Sequence, residues 1–332
     1  MAINAFFHIT PTGATTKTGA TWATAMDMAA FITHLEGAVV AGDVHFIMDG
    51  SYTVTEDLDC TARDGAAGSP IVMIGVKSGT TNEGANVVYS DWSRDAADRP
   101  FIDGGSYTFN LGDYYILRNL DFQTNTASGV YQGAYGYNEN CKFMSPVENA
   151  NYATRSGRCH YINCEMSSTG GFALRHGGSG LIMFCYFYDS PTGIYSASFS
   201  TCFGNIFDDN TIGIDALSNI GLMILNNTLY GGSYGINSAA PYNIVTINNI
   251  CEGQSVGGFR STTQTDSNLY MYNHGDDTRC TDMWIGIDTT TIFQDYEVTT
   301  GDPKFTTSGS DFSLQNDSPN LGAGMSIDLG VG

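Results

Sequence analysis

Five of the chain's 13 Lys and Arg and 6 His residues fall within 22 positions: Arg155, Arg158, His160, Arg175 and His176. No other stretch gathers base in this way. Elimination across a uronic acid needs a base, a proton donor and positive charge to neutralise the carboxylate. Arg155, Arg175 and His176 are the candidates for that chemistry, and solvated turn positions, with His176 capping a loop, are the alternative. Hydrolysis would instead need paired carboxylates on one face. Asp208 and Asp209 are consecutive and so point apart on a strand, which leaves Asp189 and Asp209 as the candidate pair. Tyrosines among glycines in "SGVYQGAYGYNEN" (Ser128–Asn140) suit sugar stacking or a subunit interface. Tyr131, Tyr135 and Tyr137, with Arg158, are therefore the candidate binding residues, and the segment reads as a surface loop.

Such residues act together only if the chain returns to the same place. Cys141, Cys164, Cys185, Asn205, Asn226 and Asn248 recur at gaps of 23, 21, 20, 21 and 22. Gly171-Phe172, Gly193-Ile194, Gly213-Ile214, Gly235-Ile236 and Gly258-Phe259 follow at gaps of 22, 20, 22 and 23. Two series with one period mean stacked repeats. The leucine-rich pattern is absent, and the apolar runs are too short for helices. The fold class expected is all-β: a right-handed parallel β-helix solenoid with about three short strands per coil and coils about 4.8 Å apart. Arg155 and Arg175 then sit one coil apart on one face. Asn205, Asn226 and Asn248 form a buried column that satisfies its own amides. Ala25, Met28, Ala29, Ile32 and Leu35 have helical spacing, and Gly37 reads as the C-cap. An open solenoid end needs a cap, and this helix is assigned to it. From residue 262 the period fades. The chain reads as one β-helix domain over 1–332, with cap over 1–50, regular coils over 51–261 and irregular coils over 262–332.

The formal charge of −21 disfavours nucleic acid and anionic membranes as partners. No run approaches the length of a membrane span. The N-terminus has neither the basic region nor the apolar stretch of a signal peptide. The eight cysteines are dispersed, with no CxxC pair, and read as buried free thiols of a protein made in a reducing cytoplasm. No metal site is expected from them.

Three stretches resemble pectate-lyase-like β-helix proteins: "GATTKTGATWATAMD…GDVHFIMDGSYTV", the N-x-apolar and G-I array, and "DPKFTTSGSDFSLQNDSPNLGAG". "GGFALRHGG" resembles the R-H-G strand of alginate and chondroitin lyases. That resemblance implies that Arg175 assists a lysine base one coil earlier, with calcium held by acidic neighbours. Arg155 stands at that place instead, and an arginine is a poor general base. Lys142 lies 33 residues before Arg175, more than one coil away. Asn138, Glu139 and Glu165 are the oxygen ligands available to calcium; no other cofactor is expected. The leading expectation is a non-enzymatic surface protein of a phage virion, a head decoration, fibre or spike. It would be made in the host cytoplasm, self-associate as a homotrimer, contact other virion proteins and bind a surface glycan. The alternatives are a lyase-like enzyme for acidic glycans and an adhesin-like binding module.

Overall fold

The structure, a computed structural model, describes residues 2–126, 128–148, 151–196, 199–216, 221–238, 243–261, 269–271, 273–275, 284–285, 299–300, 304–307 and 311–315. Nearly all of it is short parallel strands, and the fold is the parallel β-helix that the period predicts. Two compact units, Met1–Gly177 and Gly178–Gly332, are each built this way.

In the N-terminal unit the first sheet runs from Phe6–Ile9 through Val44–Met48, Ile71–Val76, Tyr115–Arg118 and Tyr137–Glu139 to His160–Ile162. The second runs from Leu58–Asp59 through Phe109–Leu111, Val130–Gln132 and Tyr152–Ser156 to Phe172–His176. The third runs from Ser51–Thr53 through Phe101–Asp103, Asp121–Gln123 and Lys142–Ser145 to Glu165–Ser168. Alternation along each strand puts like residues on like: Phe122 lies in register with Phe143, their rings 5.6 Å apart and nearly parallel. The C-terminal unit repeats the plan. Ile194, Ile214, Ile236 and Phe259 pair rung by rung in its second sheet, and Phe187 stacks on Phe207 at 4.9 Å in its third. Phe172, grouped with that series by sequence, is only half-buried, and Leu174 two residues on is buried instead.

The cap helix forms at Met28–Gly37, with Met28, Phe31, Ile32 and Leu35 buried along one stripe. It starts later than Ala25 because the Asp27 side chain accepts the Ala30 N–H and sets the N-cap. Gly37 is the last helical residue, and Ala38 is the C-cap. Ser128–Asn140 is not a loop: it holds the strands Val130–Gln132 and Tyr137–Glu139, and only the turn between them is irregular. Strand positions explain Tyr131 and Tyr137, since alternate residues face outward, and Tyr135 lies in the turn.

The asparagine column exists and holds Asn205 as expected, but it continues through Asn227 and Asn249, one residue after the expected Asn226 and Asn248. Asn227 Oδ1 accepts from the backbone N and the Nδ2 of Asn205, both at 2.9 Å. Asn249 serves Asn227 in the same way, and Asn273 serves Asn249. Asn226 and Asn248 sit just before that column with φ of 56° and 57°. They make the left-handed bend, which Asn tolerates better than other side chains. Asn119, Asn140 and Asn163 make the same bend in the N-terminal unit, where Cys141 and Cys164 follow two of them. Each of these thiols points to the carbonyl two residues back, as the asparagines do. Seven of the eight cysteines are buried free thiols; Cys280 lies outside the described residues.

Candidate functional site

Arg155 and Arg175 are paired neighbours on adjacent rungs of the second sheet, as the period predicts. With Asn110 and Tyr131 they form one outward row, and the Arg155 guanidinium lies 5.6 Å from the Tyr131 ring. His176 does not join them. It is fully buried, and its Nε2 lies 3.0 Å from the Cys159 carbonyl. A side chain next to Arg175 on a strand must point to the opposite face, so His176 is an interior residue and is withdrawn as a catalytic candidate.

The four binding candidates separate onto three surfaces. Tyr131 belongs to the row just described. Tyr135 lies at the turn, stacked on Tyr114 at 4.8 Å, and its hydroxyl accepts from Arg158 Nη1 at 3.1 Å. Tyr114 and Tyr135 have φ of 59° and 61°, a left-handed conformation that costs a side chain about 1–2 kcal/mol. Tyr137 is on the outer face of the first sheet, 5.5 Å from the Arg118 guanidinium.

The proposed calcium ligands do not converge. Asn138 is buried and donates to Gln132 Oε1 at 2.7 Å. Glu139 is paired with Arg118, and Glu165 with Arg99 and Lys142. These carboxylates already have cations, so the set does not fit the ion. Asp189 and Asp209 are exposed bend residues with φ of 48° and 50°, while Asp208 accepts from the Tyr186 hydroxyl at 2.7 Å. Both bend acids act electrostatically on Asp208, whose carboxyl is raised chiefly by burial.

Lys142 stands in register between Asp121 and Glu165 on the outer face of the third sheet. Arg99 spans both acids, at 3.0 Å to Asp121 and 3.2 Å to Glu165. Burial pushes the Asp121 carboxyl up to about 6 despite the arginine beside it.

The most developed surface feature was not legible in the repeat. The chain between the strands Ile71–Val76 and Phe101–Asp103 leaves the coil and lies against the outer face of the first sheet. It brings Tyr89, Trp92 and Arg94 beside Arg118, Glu139 and the asparagine bends. Together they line a groove of about 260 Å³. Tyr89 is 58% exposed and meets Trp92 edge to face at 4.9 Å. Arg118 lies between the Trp92 ring at 5.4 Å and the Tyr137 ring at 5.5 Å, and its Nε is 3.0 Å from Glu139 Oε2. Asn140 Nδ2 donates to Asn119 Oδ1 at 2.8 Å and to the Arg94 carbonyl at 2.7 Å, which ties the segment to the coils. Asn163 Nδ2 donates to Asn140 Oδ1 at 3.3 Å. The indole N–H of Trp92 and the Asn119 amide nitrogen are buried donors without a partner. Aromatic faces, a fixed guanidinium and planar amides are the groups that stack on sugar rings and bond their hydroxyls. The sequence signal was "VVYSDWSRD", an aromatic-rich interruption between two strands.

No family model matches the chain, and no curated protein matches it in sequence. Among solved structures it is similar to the pectate lyase Pel9A, at 14% identity and a TM-score of 0.64, over 96% of this chain and 91% of that one. It is also similar to XylC in its complex with xylose, at 8% identity and a TM-score of 0.54, over 82% of this chain and 76% of that one. The chain thus has the pectate-lyase-like β-helix fold.

Proposed function

We propose that this protein binds glycans through the Tyr89–Trp92–Arg118 groove and serves as a surface structural protein of a phage particle, assembled as a homotrimer with other virion proteins. The groove carries the reading: an exposed ring, a guanidinium held between two rings and the asparagine bends line one concave site. A fold shared with a pectate lyase and with a protein solved with xylose supports a glycan as ligand. The outward row of Tyr131, Arg155 and Arg175 on the second sheet is a separate face that offers two guanidinium groups to an acidic chain. Assembly on a particle made in the host cytoplasm rests on the acidic composition and on the stacked repeat fold.

A lyase acting on acidic glycans is the second reading. It is favoured by the half-buried Asp121, whose carboxyl is shifted towards neutrality beside Arg99 and Lys142. The test is to incubate the full chain with polyuronates and with neutral oligosaccharides. Retention on the glycan, the ultraviolet absorbance of unsaturated product and the mass by light scattering are followed together. Saturable binding by a trimer without product supports the proposal. Product that disappears in Asp121→Asn transfers it to the lyase, and a monomer that retains no glycan overturns it.

A further inference from the structure

A different cluster lies at the capped end of the N-terminal unit. His45 is on the inner face of the first sheet, in register with Phe7 and Met73. His34 comes from the last turn of the cap helix, and Asp43 from the connection that leads into the Val44–Met48 strand. One ligand atom from each lies within 4.8 Å of the others, and His34 Nε2 is 4.0 Å from Asp43 Oδ2. We propose that His34, Asp43 and His45 form a binding site for a divalent transition-metal ion, with Zn²⁺ the best fit, that clamps the cap helix to the first coil.

Three observations carry this. The Nδ1 of His45 lies 3.1 Å from the Val72 carbonyl, which can only accept. The proton is therefore on Nδ1, and the Nε2 lone pair faces the cluster; this is the way a metal-binding histidine is held. Second, the Nε2 atoms of both histidines are buried and have no hydrogen-bond partner. His45 is fully buried, so that orphaned acceptor is costly unless something else satisfies it. Third, Asp43 is oriented by its own contacts: Oδ1 accepts from Asn4 at 2.8 Å and Oδ2 from the Val40 N–H at 2.9 Å.

Two imidazoles and one carboxylate select a borderline ion such as Zn²⁺ over Ca²⁺ or Mg²⁺, which prefer all-oxygen sets. Ligands about 2.0–2.1 Å from a tetrahedral ion stand about 3.4 Å from one another. The cluster must therefore contract by about 1 Å, which rotation of the partly exposed His34 supplies. The rings of Phe7 at 4.2 Å from His34 and Phe31 at 5.2 Å from His45 wall the site with apolar surface.

The experiment is equilibrium dialysis of the chelator-stripped full chain against Zn²⁺ alone, with metal content and Tm as readouts, and a parallel Co²⁺ absorption spectrum. One equivalent binds, Tm rises on loading and falls with chelator, and Co²⁺ gives the bands of a four-coordinate nitrogen–oxygen site. His34→Ala weakens binding more than the roughly 10–100-fold lost with an outer-shell partner. His160→Ala, a control outside the cluster, does not change it. No saturable equivalent, an aquo-like Co²⁺ spectrum, or equal affinity in His34→Ala overturns the proposal. Should His34→Ala not fold, the wild-type Co²⁺ spectrum and His45→Gln decide it.

Discussion

The two units share one coil plan and fill its bend differently. In the N-terminal unit Leu120, Cys141 and Cys164 follow the left-handed bends; the C-terminal unit begins with Cys185 at that place and then changes to Asn205, Asn227 and Asn249. A thiol satisfies one carbonyl weakly and adds apolar volume, whereas an amide bonds both its own coil and the neighbouring coil. The outer faces differ as well. The N-terminal unit carries the groove, the Arg155–Arg175 row and the Arg99–Asp121–Lys142–Glu165 cluster. The C-terminal unit turns Tyr186, Ile206 and Thr228 outward in register on its third sheet, and Tyr230 of that sheet packs against Phe312 at 5.7 Å. The interior columns can change type without changing the fold, and the polar chemistry described here is concentrated on the N-terminal unit.

The contrast is tested most strongly in the columns. Asn227→Ala strands two donors of Asn205 and removes the bonds to Cys202 O, Leu225 O and Asn249 Oδ1. It should cost about 2–4 kcal/mol in denaturant unfolding. Cys164→Ala, at the equivalent bend of the other unit, should cost only about 1 kcal/mol. Equal costs in the two variants would remove the distinction between the columns.

The outer faces come next. Tyr89→Ala should weaken glycan binding about tenfold, or about 1.4 kcal/mol, and leave Tm unchanged because the ring is largely exposed. Phe199→Ala, an equally exposed ring of the C-terminal unit, should leave binding unchanged.

A smaller effect is pH dependence. Burial raises both Asp121 and Asp215 to about 6, the latter despite the Asn237 amide bonded to it at 2.9 Å. The folded state then holds more protons than the unfolded state between about pH 4 and pH 6, so stability is greatest below that window and falls as pH rises through it. Tm should drop by a few degrees across the window. Asp121→Asn should flatten the share due to the N-terminal unit and leave that of Asp215. The smallest effect is at Phe184, which holds φ of 55° where other coils have Asn or Gly. Phe184→Asn should gain about 0.5 kcal/mol by relieving that strain, less what its contact with Phe203 contributes.

The fold was legible because a solenoid writes its coil length into the sequence. Arg155 and Arg175 could be paired from a gap of 20 alone. The asparagine register held at Asn205 and failed by one residue at Asn226 and Asn248, where "NN" supplies both the bend and the buried amide and a period does not say which is which. His176 failed because alternation along the strand had not been anchored to a face. The groove stayed hidden for a different reason. Tyr89 and Trp92 belong to an excursion, while Arg118, Glu139 and Asn163 come from successive coils, so no local spacing links them. His34 and His45 likewise meet only because the helix folds back over the open end.

The central claim is that the Tyr89–Trp92–Arg118 groove binds a glycan. Calorimetric titration of oligouronates and neutral oligosaccharides into the wild type, Tyr89→Ala and Phe199→Ala tests it most directly. The account predicts one saturable site with at least one glycan class, weakened about tenfold in Tyr89→Ala and intact in Phe199→Ala. No saturable binding by the wild type, or the same affinity in Tyr89→Ala, would contradict it.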